Sequence, residues 1–223
     1  MLSDERMAQK QQLKINEIFF SIQGESSWAG HPTVFVRTSG CHLRCAYCDT
    51  QYAYHEGAMM ELEDILAKVR TFPARYVCLT GGEPLVQHAS FELMSRLCDA
   101  GYKVSLETSG DKDCGPVDPR VKKIIDVKTP DSGEAGKFDP CNLGFADEKT
   151  EFKFVICSEA DFAWAESFAQ EKELFKKSSV LYSPSFKSVS ERWLAEKILT
   201  SGSPARMQLQ LHKYIWPADA RGV

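Results

Sequence analysis

The sequence lacks three features that would place it in large classes of protein. No apolar run approaches the roughly 18–20 residues of a membrane span, and residues 1–12 contain no apolar segment of the kind that directs secretion. The charge shows no basic excess, because 27 Lys and Arg stand against 31 Asp and Glu, a net charge of −4. We therefore expect a cytoplasmic protein that neither enters a membrane nor binds nucleic acid directly.

Cysteine, by contrast, is abundant. Eight cysteines occur in 223 residues, and three of them fall within one short segment as Cys41, Cys45 and Cys48. A disulfide framework is typical of short secreted chains, so we expect reduced thiols that bind metal or take part in redox chemistry. The isolated cysteines have no neighbour at ligand spacing, and we interpret them as ordinary packing residues: Cys78, Cys98, Cys114, Cys141 and Cys157.

The cysteine segment has no fourth ligand. A structural zinc ion prefers four ligands, built from separated pairs, and no further Cys or His completes such a pattern. Cubane iron–sulfur clusters also use four cysteines, so three would leave one iron with an open coordination position. The spacing favours an iron–sulfur cluster over zinc and leaves both open.

The hydrophobic pattern alternates between strands and helices, which predicts a parallel sheet with helices outside it. The predicted strands cover residues 13–22, 33–37, 76–80, 102–107, 123–127, 150–156, 180–183 and 208–215, and the predicted helices cover residues 61–71, 91–100, 158–172 and 190–199. Short polar motifs follow several of these strands. Since the carboxyl ends of parallel strands meet at one edge, we expect a ligand site there.

Two motifs carry a resemblance to a known superfamily. The segment CHLRCAYC, residues 41–48, resembles the C-x3-C-x-φ-C signature of radical S-adenosylmethionine enzymes, with Tyr47 at the aromatic position. Gly81-Gly82-Glu83-Pro84 resembles the G-G-E-P motif of the same superfamily. Neither a zinc site nor a plain glycine turn would require the two motifs together and in this order.

A narrower set of segments, spread from residue 15 to residue 215, is similar to the 7-carboxy-7-deazaguanine synthase family. These segments are FSIQGE (20–25), VFVR (34–37), SGC (39–41), CDT (48–50), TGGEP (80–84), ETSG (107–110) and HKY (212–214). The resemblance implies a radical SAM fold, an incomplete TIM-like barrel of parallel strands with outer helices. It also implies a polar tail over residues 1–12, a single domain over residues 13–223, and a homodimer.

The activity implied is that of a lyase in queuosine-precursor biosynthesis. It contracts the ring of 6-carboxy-5,6,7,8-tetrahydropterin to give 7-carboxy-7-deazaguanine, with loss of ammonia. The implied cofactors are a [4Fe-4S] cluster, S-adenosylmethionine and Mg²⁺, with a one-electron reductant of the flavodoxin or ferredoxin type. The protein does the positioning, while the cofactors carry the difficult chemistry.

The resemblance also assigns site residues. Cys41, Cys45 and Cys48 match the cluster ligands, and Thr50 matches a magnesium position. The positions that match S-adenosylmethionine contacts are Tyr47, Cys48, Asp49, Gly82, Asp126, Val127 and Lys128. The positions that match substrate contacts are Ile22, Gln23, Gly24, Arg37, Thr80, Glu107 and His212. Relatives often have Ser-Pro-Lys at 126–128, so we expect Asp126 and Val127 to act through their backbone.

The chemistry of these residue types agrees with their assigned roles. An arginine such as Arg37 can hold a carboxylate through two hydrogen bonds. A carboxylate such as Glu107 accepts from two neighbouring N–H groups, which the pterin amidine edge offers. Gly82 has no Cβ and lets a ligand approach the backbone closely.

The carboxyl-terminal tail departs from part of the family, since some relatives end in a proline carboxylate near the substrate. Here Pro217 is followed by residues 218–223. We hypothesise that this tail folds over the open end of the barrel, with Trp216 as its anchor and Asp219 or Arg221 supplying polar contacts. The tail would then exclude water from the site.

Two other functions remain open at this point. A glycyl-radical-enzyme activase is also small, carries C-x3-C-x2-C and acts on a protein. A zinc-stabilised binding module is the alternative that is not an enzyme, and it would contain zinc without sulfide.

Overall fold

The computed structural model describes residues 11–186 and 188–223, so most of the predicted polar tail lies outside the described residues. Within these residues nine strands form one open sheet in the order β3-β1-β2-β4-β5-β6-β7-β8-β9. The strands are β1 Gln12–Ile22, β2 Pro32–Thr38, β3 Ala58–Glu61, β4 Tyr76–Gly81, β5 Lys103–Thr108, β6 Lys122–Asp126, β7 Glu151–Ile156, β8 Ser179–Pro184 and β9 Arg206–Met207. From β2 through β4 to β9 every neighbouring pair is parallel. This open, mostly parallel sheet confirms the predicted α/β incomplete barrel.

Helices follow the strands as the alternating pattern predicts. They are α1 Leu62–Arg70, α2 Ala89–Asp99, α3 Glu159–Glu171, α4 Leu174–Lys177, α5 Glu191–Ser201 and α6 His212–Ile215. The apolar residues of α1 at helical spacing, Leu62, Ile65, Leu66 and Val69, are all buried. No helix in the described ranges combines the length and the apolar character needed to cross a bilayer.

Residue types that favour helix ends stand at two of these boundaries. Ser158 precedes α3, and its hydroxyl accepts from the backbone N–H of Asp161. Gly101 follows α2 with a φ of +87°, a left-handed conformation that favours glycine at this position.

The predicted strand over residues 208–215 is wrong. The structure places only Arg206 and Met207 in β9 and turns His212–Ile215 into the short helix α6. The alternation of Gln and Leu resembles a strand, but the amides of Gln208 and Gln210 both donate to Glu25. Tertiary hydrogen bonds therefore override the local pattern.

The amino-terminal edge of the sheet also differs from an all-parallel arrangement. β1 is antiparallel to β2 and to β3. The sequence analysis did not predict β3, because its residues are mostly exposed and show no apolar alternation. The site lies along the border of the sheet where the carboxyl ends of the parallel strands meet.

Candidate active site

A cavity of about 420 Å³ opens at the carboxyl ends of the parallel strands. Its size lies in the ordinary range of small-molecule pockets. Every site residue assigned by the family resemblance lines it, with one exception. Val127 is fully buried in the hydrophobic core, and its N–H donates to the Lys153 carbonyl. The structure therefore does not bring Val127 to the cavity.

Backbone hydrogen bonds from two sides fix the cysteine loop. Gly40 donates to the Ala53 carbonyl (2.8 Å), and its own carbonyl accepts from Glu83 (2.9 Å). Ala46 donates to the Ser132 carbonyl (2.9 Å). A Cβ on Gly82 would lie 2.1 Å from the Gly40 oxygen. Gly82 thus has a structural reason to be glycine, since the cysteine loop packs directly on it.

The thiols of Cys41, Cys45 and Cys48 are free, half-buried and exposed to the cavity. Burial raises the pKa of the Cys45 thiol to about 11, so a bound cation would be needed to keep it as a thiolate. Within the described residues no three His, Cys, Asp or Glu side chains converge as a single metal ion requires. In a cubane cluster each cysteine binds a different iron, so three thiols carried by one loop suit the cluster that the family resemblance implies.

The glutamate of the G-G-E-P motif ties the loops around the cavity together. Glu83 is fully buried and accepts from the Thr108 hydroxyl (2.8 Å) and from the Ser109 N–H (2.7 Å). The Ser109 hydroxyl lies 2.6 Å from both Glu83 and Asp111, and Asp111 pairs with His42 beside the first cysteine. The loops after β2, β4 and β5 are therefore one connected unit. The sequence analysis recognised the motif without giving Glu83 this role.

Asp126 and Lys128 form the wall on the cysteine side. Their charged atoms lie 3.0 Å apart, and the Lys128 ammonium lies 5.5 Å from the centre of the Tyr47 ring. Burial opposes the charge of Asp126, but the two nearby lysines lower its pKa. One carboxylate oxygen of Asp126 and the Tyr47 hydroxyl are buried without a hydrogen-bond partner. Both side chains therefore offer unused polar atoms to a ligand, which the expectation of backbone contacts for Asp126 did not include.

Asp49 and Thr50, which directly follow Cys48, line the cavity as well. The Thr50 hydroxyl donates to Asp49 (2.9 Å), and the Lys213 ammonium lies 2.7 Å from the other carboxylate oxygen. Burial opposes ionisation, but Lys213 lowers the pKa of Asp49 to about 2. The Thr50 oxygen keeps its lone pairs for a cation or a ligand.

Arg37 and Glu107 also line the cavity, on the wall where the family resemblance places the substrate. Arg37 uses its Nε on Glu17 (2.7 Å), while its terminal nitrogens have no hydrogen-bond partner among the described residues. Among the residues that the structure describes, Glu107 accepts from the Thr80 hydroxyl (3.2 Å) and, weakly, from the Cys78 thiol (3.7 Å). Burial, together with the charge of Glu25, raises the pKa of Glu107. Neither charged group is fully satisfied by the protein.

Gly24 and His212 are in direct contact on this wall. A Cβ on Gly24 would lie 2.5 Å from the His212 ring, and the Gly24 carbonyl accepts from the N–H of Leu211 (3.2 Å). Burial lowers the pKa of His212, which favours the neutral imidazole. The loop after β1 and the carboxyl-terminal segment thus meet at the cavity.

The sequence analysis missed a buried polar cluster beneath this contact. Glu25 accepts from Lys153 (2.8 Å), Gln208 (3.1 Å) and Gln210 (2.9 Å). Lys153 lies in β7 between Phe152 and Phe154, and a charged residue inside a buried strand is the signal that could have identified it.

The carboxyl-terminal tail reaches the cavity, as hypothesised. Residues 218–223 are among those that line it. The Arg221 guanidinium lies 3.8 Å from the centre of the Tyr52 ring and 3.3 Å from Glu56. Trp216 is half-buried and does not line the cavity. Arg221 thus supplies a polar contact of the hypothesised kind, whereas the part of Trp216 as an anchor stays a prediction.

Comparison with known proteins agrees with this geometry. The sequence profile of the radical SAM superfamily matches residues 35–130. A 7-carboxy-7-deazaguanine synthase from Chlorobaculum tepidum is 48% identical over 220 residues, which cover 97% of this chain and 100% of that protein. The enzyme of that name from Koribacter versatilis is 41% identical over 95% of this chain and 100% of its own length.

Solved structures show the same fold. The crystal structure of QueE from Escherichia coli matches with a TM-score of 0.75 at 23% identity, covering 89% of this chain and 94% of that one. Streptococcus suis SuiB bound to S-adenosylmethionine matches with a TM-score of 0.51 at 13% identity, over 76% and 44% of the two chains. Together with the thiol loop at the cavity, these similarities show that the chain belongs to the 7-carboxy-7-deazaguanine synthase family of radical S-adenosylmethionine enzymes.

Proposed function

We propose that this chain converts 6-carboxy-5,6,7,8-tetrahydropterin to 7-carboxy-7-deazaguanine with loss of ammonia. The observation that carries the proposal is the incomplete pairing of Glu107 and Arg37 in a cavity that also holds the thiol loop. Glu107 can accept two N–H groups from an amidine edge, and the terminal nitrogens of Arg37 can hold a carboxylate. The proposed substrate has both groups.

Radical SAM enzymes use a [4Fe-4S] cluster and S-adenosylmethionine, which supply a 5′-deoxyadenosyl radical when both are bound. In this chain Cys41, Cys45 and Cys48 would hold the cluster. The side chains that would bind S-adenosylmethionine are the cavity-lining Tyr47, Asp49, Asp126 and Lys128, with Gly82 beside them. The unpartnered oxygens of Asp126 and Tyr47 support this assignment, because a buried acceptor or hydroxyl gains most from a ligand donor or acceptor.

The substrate-side residues have separable tasks. Glu107 and Arg37 fix the two polar ends of the pterin, Thr80 orients Glu107, and His212 packs on Gly24 to shape the wall. The Ile22 and Gln23 positions line the same surface, and the Gln23 amide nitrogen is buried without an acceptor. That unsatisfied donor would bind a ring carbonyl or ring nitrogen.

Magnesium belongs to the proposal as well, with Thr50 as its protein ligand. Mg²⁺ keeps several waters and needs few protein oxygens, so one hydroxyl beside the ionised Asp49 is chemically sufficient. Omitting Mg²⁺ should slow turnover, and Thr50→Ala should weaken that dependence. An unchanged response of Thr50→Ala to Mg²⁺ would reduce Thr50 to a turn residue.

We also propose that the enzyme works as a homodimer with one domain over residues 13–223, and that it receives electrons from a flavodoxin or ferredoxin. It works in the reducing cytoplasm, which its eight free thiols support.

The deciding experiment uses anaerobically reconstituted protein with dithionite, Mg²⁺, S-adenosylmethionine and the pterin, and detects 7-carboxy-7-deazaguanine. Cys45→Ala should abolish product together with cluster iron and sulfide, whereas Cys98→Ala, a half-buried cysteine in α2, should keep both. Cleavage of S-adenosylmethionine that required a protein partner and ignored the pterin would contradict the proposal and favour an activase.

A further inference from the structure

Lys153 lies between the two walls of the cavity. It occupies β7, and its side chain is 10% exposed. Its ammonium lies 2.8 Å from a carboxylate oxygen of Glu25 and 3.5 Å from one of Asp126. Glu25 follows the Gln23 and Gly24 positions of the substrate side, whereas Asp126 pairs with Lys128 on the cysteine side (3.0 Å). Four alternating charges therefore run across the floor of the cavity.

Glu25 extends the reach of Lys153 to the carboxyl-terminal segment. Both carboxylate oxygens of Glu25 are occupied, one by Gln210 and the other by Lys153 and Gln208. These glutamines directly precede the short helix that begins at His212, where the N–H of Leu211 donates to the Gly24 carbonyl. The position of this segment consequently depends on the charge and orientation of Glu25.

Within the described residues, Lys153 is the cation that forms an ion pair with Glu25. Without it, Glu25 would be a buried carboxylate close to a second one, Glu107, whose pKa is already raised in part by Glu25. Asp126 would keep Lys128 but lose its second cation. Leaving one partner of a buried ion pair uncompensated is strongly unfavourable, so the groups around it would move.

We propose that Lys153 is a positioning residue that holds the substrate-side and cofactor-side walls at their working separation by neutralising Glu25 and Asp126 together. It has no assigned contact with either ligand. Its effect passes through Glu25 to the His212 segment and through Asp126 to the wall that would bind S-adenosylmethionine. The inference rests on the proposed function, because it concerns the relative placement of the two ligands.

The test compares Lys153→Met, Lys153→Arg and a matched control, Lys122→Met. Lys122 also pairs with a buried glutamate, Glu151 (3.0 Å), but it is the first residue of β6, at the amino ends of the strands, and does not line the cavity. Three quantities are measured on reconstituted protein: the Kd for S-adenosylmethionine by calorimetry, the KM for the pterin, and the 5′-deoxyadenosine formed per product. Thermal stability is recorded for each variant.

Lys153→Met should weaken both S-adenosylmethionine binding and pterin affinity by about tenfold or more and raise uncoupled 5′-deoxyadenosine, because both walls shift. Lys153→Arg should recover much of each constant, since it keeps the charge. The charge-balanced Lys153→Met/Glu25→Gln should perform better than Lys153→Met alone. Lys122→Met should lose stability with both constants unchanged.

A Lys153→Met protein that loses stability like Lys122→Met but keeps its Kd, KM and coupling would overturn the inference and leave Lys153 as a purely structural residue. The same holds if Lys153→Arg shows no recovery while the folded protein is retained. Failure of the unmodified protein to convert the pterin would instead count against the proposed function.

Discussion

Glu25 and Glu107 line the same cavity, yet their surroundings shift their pKa values in opposite directions. Glu25 has an ammonium and two amides on its oxygens, and although burial opposes its charge, Lys153 lowers its pKa. Glu107 has one hydroxyl and one thiol as donors, and burial together with Glu25 raises its pKa. The comparison shows two roles for a buried carboxylate. One whose oxygens are all paired with protein donors supports the scaffold, whereas one with few protein donors is available to a ligand.

The two shifts have opposite consequences for stability. A lowered pKa means that ionised Glu25 stabilises the fold above the pKa of an unfolded glutamate, and this contribution is lost as the pH falls through the folded-state pKa. A raised pKa means that Glu107 costs stability once the pH exceeds the unfolded value and it must ionise in the fold. N–H donors from a bound ligand would lower this cost, because they stabilise the ionised form of Glu107.

The largest expected effect comes from removing Glu25, the carboxylate that is fully paired by the protein. Glu25→Ala leaves Lys153 buried without its counter-charge and frees Gln208 and Gln210, so the free energy of unfolding should fall by about 3–5 kcal/mol. Anaerobic urea unfolding of the reconstituted protein measures it. Glu63→Ala, whose carboxylate is 70% exposed, serves as the control and should change the stability by no more than about 0.5 kcal/mol. If both variants lost the same free energy of unfolding, Glu25 would not support the scaffold more than an exposed glutamate does.

Glu107, the carboxylate with few protein donors, should behave in the opposite way. Glu107→Gln should reduce pterin affinity by roughly 30-fold or more, since truncating a buried charged hydrogen bond costs about 2–5 kcal/mol. The melting temperature should stay equal or rise, because the buried charge disappears. Steady-state KM and thermal unfolding are measured side by side. A normal KM with a lowered melting temperature would make Glu107 structural.

The pH dependence of kcat/KM sharpens the same contrast. If Glu107 must be ionised to accept from the pterin, kcat/KM should fall as the pH is lowered, with a midpoint above 4.5, the ordinary glutamate value. In Glu107→Gln this acidic limb should disappear. An unchanged limb in that variant would assign the titration to another group that lines the cavity, of which His212 is the first to consider.

The smallest expected effect concerns the tail. Arg221→Ala removes a cation–π contact with Tyr52 and an exposed ion pair with Glu56, worth about 1 kcal/mol together. KM should rise no more than about fivefold, with more 5′-deoxyadenosine formed per product. Arg221→Lys keeps the charge without the planar guanidinium and should be intermediate. Full coupling in Arg221→Ala would show that this contact does not hold the tail over the site.

The sequence by itself determined the features that depend on neighbouring residues in the chain. The spacing of Cys41, Cys45 and Cys48 predicted the thiol loop, and hydrophobic periodicity predicted most of the parallel sheet and its helices. These patterns are local, since a few residues of one strand, helix or loop contain all the information. For the same reason the sequence identified the loops that converge at the carboxyl edge of the sheet.

Only the tertiary structure decided how charges far apart in the chain pair. Glu25 and Lys153 are separated by 128 positions and Glu25 and Gln210 by 185, and no local pattern relates them. Residues 208–215 alternate like a strand but form a turn and a short helix, because Glu25 binds the amides of Gln208 and Gln210. Val127 is adjacent to cavity residues in sequence yet faces the core, because successive side chains of an extended segment point to opposite sides. These long-range contacts decide that Glu25 is fully paired while Glu107 keeps few donors, since burial and pairing are properties of the folded chain.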